Sequence, residues 1–115
     1  MNPDIHGLWP ALLLPVTTEG ALDTPRALAH AQRMLDAGCD GVTLFGTTGE
    51  GPAFTISERK GLLEAMLAHG IRPDQIIVTT TALALGDAIE LGRHASGLGV
   101  HRQMLMPPFF FNQPK

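Results

Sequence analysis

Apolar and polar positions alternate along this chain between short continuous runs and helical stripes. Leu8 to Val16 is a nearly unbroken apolar run, the pattern of a strand buried on both faces. Asp23-Thr24-Pro25 follows and reads as a helix start, with Thr24 as N-cap and Pro25 at the first helical position. Leu28, Ala31, Met34 and Leu35 then recur at helical spacing until Gly38. Val42 to Phe45 predicts a second strand. Thr55-Ile56-Ser57-Glu58 has the spacing of a capping box, with Leu62, Leu63, Met66 and Leu67 as the apolar stripe behind it and Gly70 closing it. Ile76 to Thr80 predicts a third strand. Ala88, Leu91, Ala95 and Leu98 mark a third helix, and Val100 to Met106 a fourth strand stopped by Pro107-Pro108.

The predicted order is β-α-β-α-β-α-β, which pairs strands in parallel through right-handed crossovers. No linker, low-complexity segment or composition shift divides the chain, so residues 1–115 are expected to form one domain or part of one. Two architectures fit: an open four-stranded sheet, or the opening portion of a (β/α)8 barrel, which needs about 250 residues. In both, ligands bind at strand C-termini, here after Phe45, Thr80 and Met106.

Gly46-Thr47-Thr48-Gly49-Glu50 is the most informative of these loops. Its threonine hydroxyls and backbone N–H groups offer a concave seat for one anion, a carboxylate in particular. Equally, Gly46 and Gly49 simply permit a tight strand-to-helix turn. A phosphate loop fits less well, since no Gly-Lys-Ser/Thr follows and Glu50 would repel a phosphate. Glu50 itself reads as a catalytic carboxylate or as a brace for its loop. Pro107-Pro108-Phe109-Phe110-Phe111 offers aromatics for a pocket wall, a subunit contact or a hydrophobic plug.

Composition narrows the chemistry. A net charge of −3 without a basic patch argues against nucleic acid, and no apolar run approaches the length of a membrane span. Asn2, Pro3, Asp4 and His6 precede only a short apolar stretch, so no secretory leader is expected. Cys39 is the single cysteine and reads as a packed thiol; a cytoplasmic setting follows by default. His6, His30, His69, His94 and His101 lack metal-ligand spacing, and the three on predicted helices read as solvated or amphipathic positions. Lys60 and Lys115 are the only lysines. Lys60 falls in the polar first turn Ser57-Glu58-Arg59-Lys60 and is expected to be solvated. Neither lysine has the burial or cationic neighbour that a Schiff-base amine needs.

Together these segments resemble the N-terminal part of the dihydrodipicolinate synthase / N-acetylneuraminate lyase family of pyruvate-handling class I aldolases. The resemblance runs from about Leu8 to Pro114. It rests on Pro15-Val16-Thr17, Gly38-Cys39-Asp40-Gly41-Val42, Gly46-Thr47-Thr48-Gly49-Glu50, Ser57-Glu58-Arg59 and Pro107-Pro108-Phe109-Phe110. It implies a (β/α)8 TIM barrel, of which this chain covers about the first four strands and three helices, commonly assembled as a homotetramer. It implies that Thr47 and Thr48 hold the carboxylate of pyruvate or another 2-oxo acid, with Thr47 joining a catalytic proton relay. It also implies chemistry through a lysine imine, without metal or organic cofactor.

Three departures accompany the resemblance. The sixth-strand lysine and a fifth-strand relay tyrosine are expected outside these 115 residues. Phe110 stands at the position of a relay tyrosine and has no hydroxyl, which favours a related lyase or aldolase over dihydrodipicolinate synthesis proper. Thr79-Thr80-Thr81 ends the third strand where the family usually carries glycines. The alternative of another class is a non-catalytic half-barrel that covers its open edges by self-association.

Overall fold

The structure, a computed structural model, describes residues 7–46, 54–82 and 84–105. Helix α1 spans Thr24–Asp36, strand β1 Val42–Leu44, helix α2 Ile56–Ala68, strand β2 Ile76–Thr79, helix α3 Leu85–Gly97 and strand β3 Arg102–Met104. The predicted alternation is therefore present from the first helix onward, with three strands among the described residues in place of four and shorter strands than the apolar runs suggested.

Local chemistry explains the helix ends. Helix α1 is capped by Asp23, not Thr24: the Asp23 carboxylate accepts from Arg26 N at 3.3 Å. Thr24 is already helical and Pro25 lies in the first turn, where its missing N–H costs nothing. Helix α2 starts with the expected capping box. Glu58 N donates to Thr55 Oγ1 at 3.0 Å, and Thr55 N donates back to Glu58 Oε1 at 3.0 Å. Gly38 and Gly70 end α1 and α2 with φ of 108° and 105°, a region costly for any residue with a Cβ.

The three strands pair in parallel in the order β1-β2-β3. Sequential order with right-handed crossovers carries every helix to the same side of the sheet. The contacts of α1 with α2 and of α2 with α3 agree. This is the winding of a barrel wall. A doubly wound sheet would reverse its strand order and clothe both faces.

Register assigns the faces. Val42, Leu44, Ile76 and Val78 join Leu62, Leu63 and Met66 of α2 and Ala95 of α3 in the core. Gln103, in register with Val78, donates to Gly92 O at 3.2 Å and to Ser96 Oγ at 2.9 Å on α3. The opposite face carries Thr43, Ile77 and Arg102 in one row and Thr79 and Met104 in the next.

Residues 8–16 depart from expectation. They form no named strand, only a parallel bridge of Ala11 with Thr43, in which Leu12 N donates to Thr43 O at 2.9 Å and Thr43 N to Pro10 O at 2.9 Å. Pro10 and Pro15 lack the N–H a longer ladder needs. Nor is the segment buried on both faces: Leu12 is 1% exposed, whereas Leu13 is 59% exposed. Leu12 points to the helices and Leu13 to the face that no described element covers. The segment still occupies the first-strand place beside β1.

Lys60 is not free in solvent. It pairs with Glu90 of α3, and nearby His94 Nε2 meets Glu64 Oε2 at 2.7 Å. Both pairs stitch α2 to α3.

Candidate functional site at the C-terminal ends of the strands

Strand β1 leaves the sheet through Phe45, whose φ of 65° makes it the only non-glycine residue with positive φ among those described. A phenylalanine in this region is strained, so surrounding structure must hold it. Gly46 follows. A Cβ built on Gly46 would approach Thr79 Oγ1 at 3.9 Å, so the exits of β1 and β2 lie side by side. Thr47, Thr48, Gly49 and Glu50 come next and lie outside the described residues, as does Phe110. The chain is described again at Phe54, which is 8% exposed and packed in the core, and then at Thr55 and the capping box.

Arg59 ties these pieces together. It projects from the first turns of α2, and the residue is only 3% exposed. Its Nη1 donates to Thr81 O at 2.8 Å and its Nη2 to Thr79 O at 2.7 Å. Its guanidinium carbon lies 5.1 Å from the centroid of the Phe45 ring. Burial pushes its pKa down to about 10, which leaves it charged at neutral pH. No carboxylate among the described residues forms an ion pair with it. The neighbouring Glu58 is committed elsewhere. Its Oε1 accepts from Thr55 N, and its Oε2 accepts from Leu22 N at 3.1 Å. Those backbone donors, Thr55 first and Leu22 second, hold its carboxyl below the ordinary value.

Two buried polar atoms at this edge have no hydrogen-bond partner: Arg59 Nε and Thr79 Oγ1. Orphaned groups of this kind are uncommon in protein interiors. The buried cation, the strained Phe45 and the lone threonine hydroxyl all border the start of the Gly46 loop. No group of three or more metal-ligating side chains occurs among the described residues. None of their helices is long and apolar enough to cross a membrane.

Sequence reading did not find Arg59. Ser57-Glu58-Arg59-Lys60 looks like a polar first turn, and nothing in it separates the buried cation from its neighbours. The available signal was the second turn, Leu62 and Leu63: Arg59 precedes them at i−3 and i−4, on the inward face.

The fold and the placement of this edge define a class: the opening segment of a parallel (β/α)8 barrel whose working end is the C-terminal end of the strands. Comparison with known proteins narrows it. The family model described as the Dihydrodipicolinate synthetase family matches residues 4–115, and the chain belongs to that family. It is 39% identical over 111 residues to an uncharacterised DapA-like lyase of Chloroflexus aurantiacus, covering 95% of this chain and 36% of that protein. It superposes on dihydrodipicolinate synthase of Agrobacterium tumefaciens with a TM-score of 0.87 at 38% identity, covering 95% of this chain and 38% of the other. On N-acetylneuraminate lyase of Proteus mirabilis the TM-score is 0.84 at 30% identity, again with 38% of that chain covered. The chain thus spans little more than a third of the length of these relatives.

Proposed function

We propose that this chain is the carboxylate-holding portion of a Schiff-base lyase or aldolase acting on pyruvate or another 2-oxo acid. The observation that carries the reading is the family match across residues 4–115, which includes the Gly46–Glu50 loop at a strand exit. In this reading Thr48 holds the substrate carboxylate, Thr47 both holds it and passes a proton, and Phe110 lines the pocket.

The reacting amine is a lysine outside these 115 residues. Lys60 is engaged by Glu90 of α3 and lacks the burial that a Schiff-base amine needs. The amine adds to C2 of the 2-oxo acid and water leaves, giving an imine. Loss of a C3 proton gives an enamine that forms a carbon–carbon bond, and the reverse sequence cleaves one. Neither metal nor organic cofactor is needed. With a hydroxyl-free residue at 110, the proton relay of the synthase is interrupted, and a related cleavage or condensation fits better. We place the protein in the cytoplasm, as one barrel domain in a homo-oligomer.

The test is deuterium exchange. The protein encoded by the complete reading frame is incubated with pyruvate in deuterated water and followed by proton NMR. Enamine formation removes the methyl signal whatever the second substrate is. A methyl signal that decays no faster than in buffer overturns the reading.

A second reading has its own observation. Leu13, Met104 and Leu105 are 59%, 41% and 65% exposed around the uncovered sheet face and edge. A non-catalytic module could cover them by self-association. Light scattering of the 115-residue chain separates the two: a defined dimer or higher oligomer with a cooperative melt supports the module, and a monomer counts against it.

A further inference from the structure

We propose that Arg59 is the positioning residue of the carboxylate site, fixing the two strand exits that border it and supplying the positive charge behind it. The inference rests on the 2-oxo-acid reading above and deepens it.

Three observations lead to it. The first concerns what the burial achieves. Arg26, Arg33, Arg72 and Arg93 are exposed and Arg102 is half-covered, whereas Arg59 is buried. Removing a guanidinium from water is costly, and here neither a carboxylate among the described residues nor a full set of acceptors offsets it, since Nε is left unpaired. An apolar side chain would serve packing better, so stability alone does not account for this residue.

The second is the choice of partners. Arg59 touches Phe45 at the exit of β1 and the Thr79 and Thr81 carbonyls at the exit of β2. The planar fork spans both carbonyls at once, which a point-like ammonium cannot do. Stacking on the ring restrains Phe45, the one described non-glycine with positive φ, one residue before Gly46.

The third is electrostatic. Carbonyl oxygens carry partial negative charge, so those at a strand exit disfavour an anion held beside them. Arg59 occupies two of them and adds a cation that no carboxylate among the described residues pairs with. Glu58, the nearest acid in sequence, spends both oxygens on Thr55 and Leu22. In a low-dielectric setting one such charge changes anion affinity on the order of tenfold or more.

The test separates charge from scaffolding by comparing an anionic ligand with a neutral one. Calorimetric titration with pyruvate and with pyruvamide is carried out on the protein encoded by the complete reading frame, unmutated and as R59M and R59K. We expect the unmutated protein to favour pyruvate, R59M to lose that preference on the order of tenfold, and R59K to keep the preference while binding both ligands more weakly. A general loss of structure would weaken both ligands equally and leave the ratio intact, so an unchanged ratio in R59M overturns the role of Arg59. Should R59M fail to fold, R59K decides: a lost preference overturns the proposal and a kept one supports it. Failure of the unmutated protein to bind either ligand overturns the 2-oxo-acid reading itself, and this inference with it.

Discussion

The guanidinium of Arg59 lies over the ring of Phe45, 5.1 Å from its centroid, and joins a helix to the exit of the strand that helix follows. The contact closes a short circuit. Chain leaving β1 at Phe45 returns at Thr55, and within one turn of α2 it reaches back to the residue it left. The ends of the segment between are fixed by Arg59 on one side and by the Thr55–Glu58 capping box on the other.

Removing Arg59 should destabilise the chain even though its burial is costly. R59A removes the hydrogen bonds to the Thr79 and Thr81 carbonyls and leaves a cavity against Phe45, so a loss of about 2–4 kcal/mol is expected. Urea denaturation followed by circular dichroism measures it. A midpoint unchanged from the parent would mean that the two carbonyls find other partners.

The helix cap gives a smaller, better bounded effect. T55A removes the acceptor of Glu58 N and should cost about 1 kcal/mol, while T55S keeps the oxygen and should cost a few tenths. Equal losses in the two variants would show that the methyl group, and not the hydroxyl, matters at this position.

Glu58 sets a pH dependence. Its folded-state carboxyl is held below its ordinary value by the Thr55 and Leu22 backbone donors. Its contribution is therefore full above the unfolded carboxylate pKa of about 4.3, and is lost as pH falls through the lower folded value. E58Q should be less stable than the parent near neutral pH, and the gap should close as both are acidified. A gap that stays constant from neutral pH to pH ~2 would contradict the assignment.

Two glycines near the sheet should respond differently. A Cβ on Gly41 would meet Trp9 Cζ3 at 2.3 Å and Gln75 O at 2.4 Å, so G41A should destabilise by about 2 kcal/mol or more. On Gly46 the nearest described atom is Thr79 Oγ1 at 3.9 Å, an ordinary contact, and G46A should keep the parent midpoint within ~0.5 kcal/mol. Thermal melts of the pair decide; the reverse ranking would contradict the strand-exit geometry.

Thr79 carries a hydroxyl that stability does not use. Its Oγ1 is buried and unpartnered, so the near-isosteric T79V removes no hydrogen bond and should leave stability unchanged or raise it by up to about 1 kcal/mol. A clear loss in the urea midpoint would reveal a partner for this oxygen.

Much of the scaffold was legible from residue pattern. The three helices follow from apolar spacing, and Thr55 to Glu58 announced a real capping box because both partners lie within one turn. Reading stopped where the deciding contacts are distant in sequence. Asp23 displaced Thr24 as the cap because a carboxylate reaching Arg26 N outcompetes a threonine already drawn into the helix. Leu8 to Val16 looked buried on both faces, yet a continuous apolar run does not say what covers each side, and Leu13 faces the uncovered one. Arg59 was invisible as a site element because its partners, Thr79 and Thr81, lie at the end of β2 and just beyond it, about 20 residues away in sequence. Thr47, Thr48 and Phe110, singled out by motif, lie outside the described residues and stand as proposals about the site.

The proposed function requires imine formation on a lysine other than Lys60 or Lys115. Pyruvate and borohydride, added to the protein encoded by the complete reading frame, reduce and fix any imine, and peptide mass spectrometry locates it. One reduced pyruvyl adduct per chain is expected, on a lysine beyond residue 115. An adduct on Lys60 or Lys115, or no adduct at all, would contradict it.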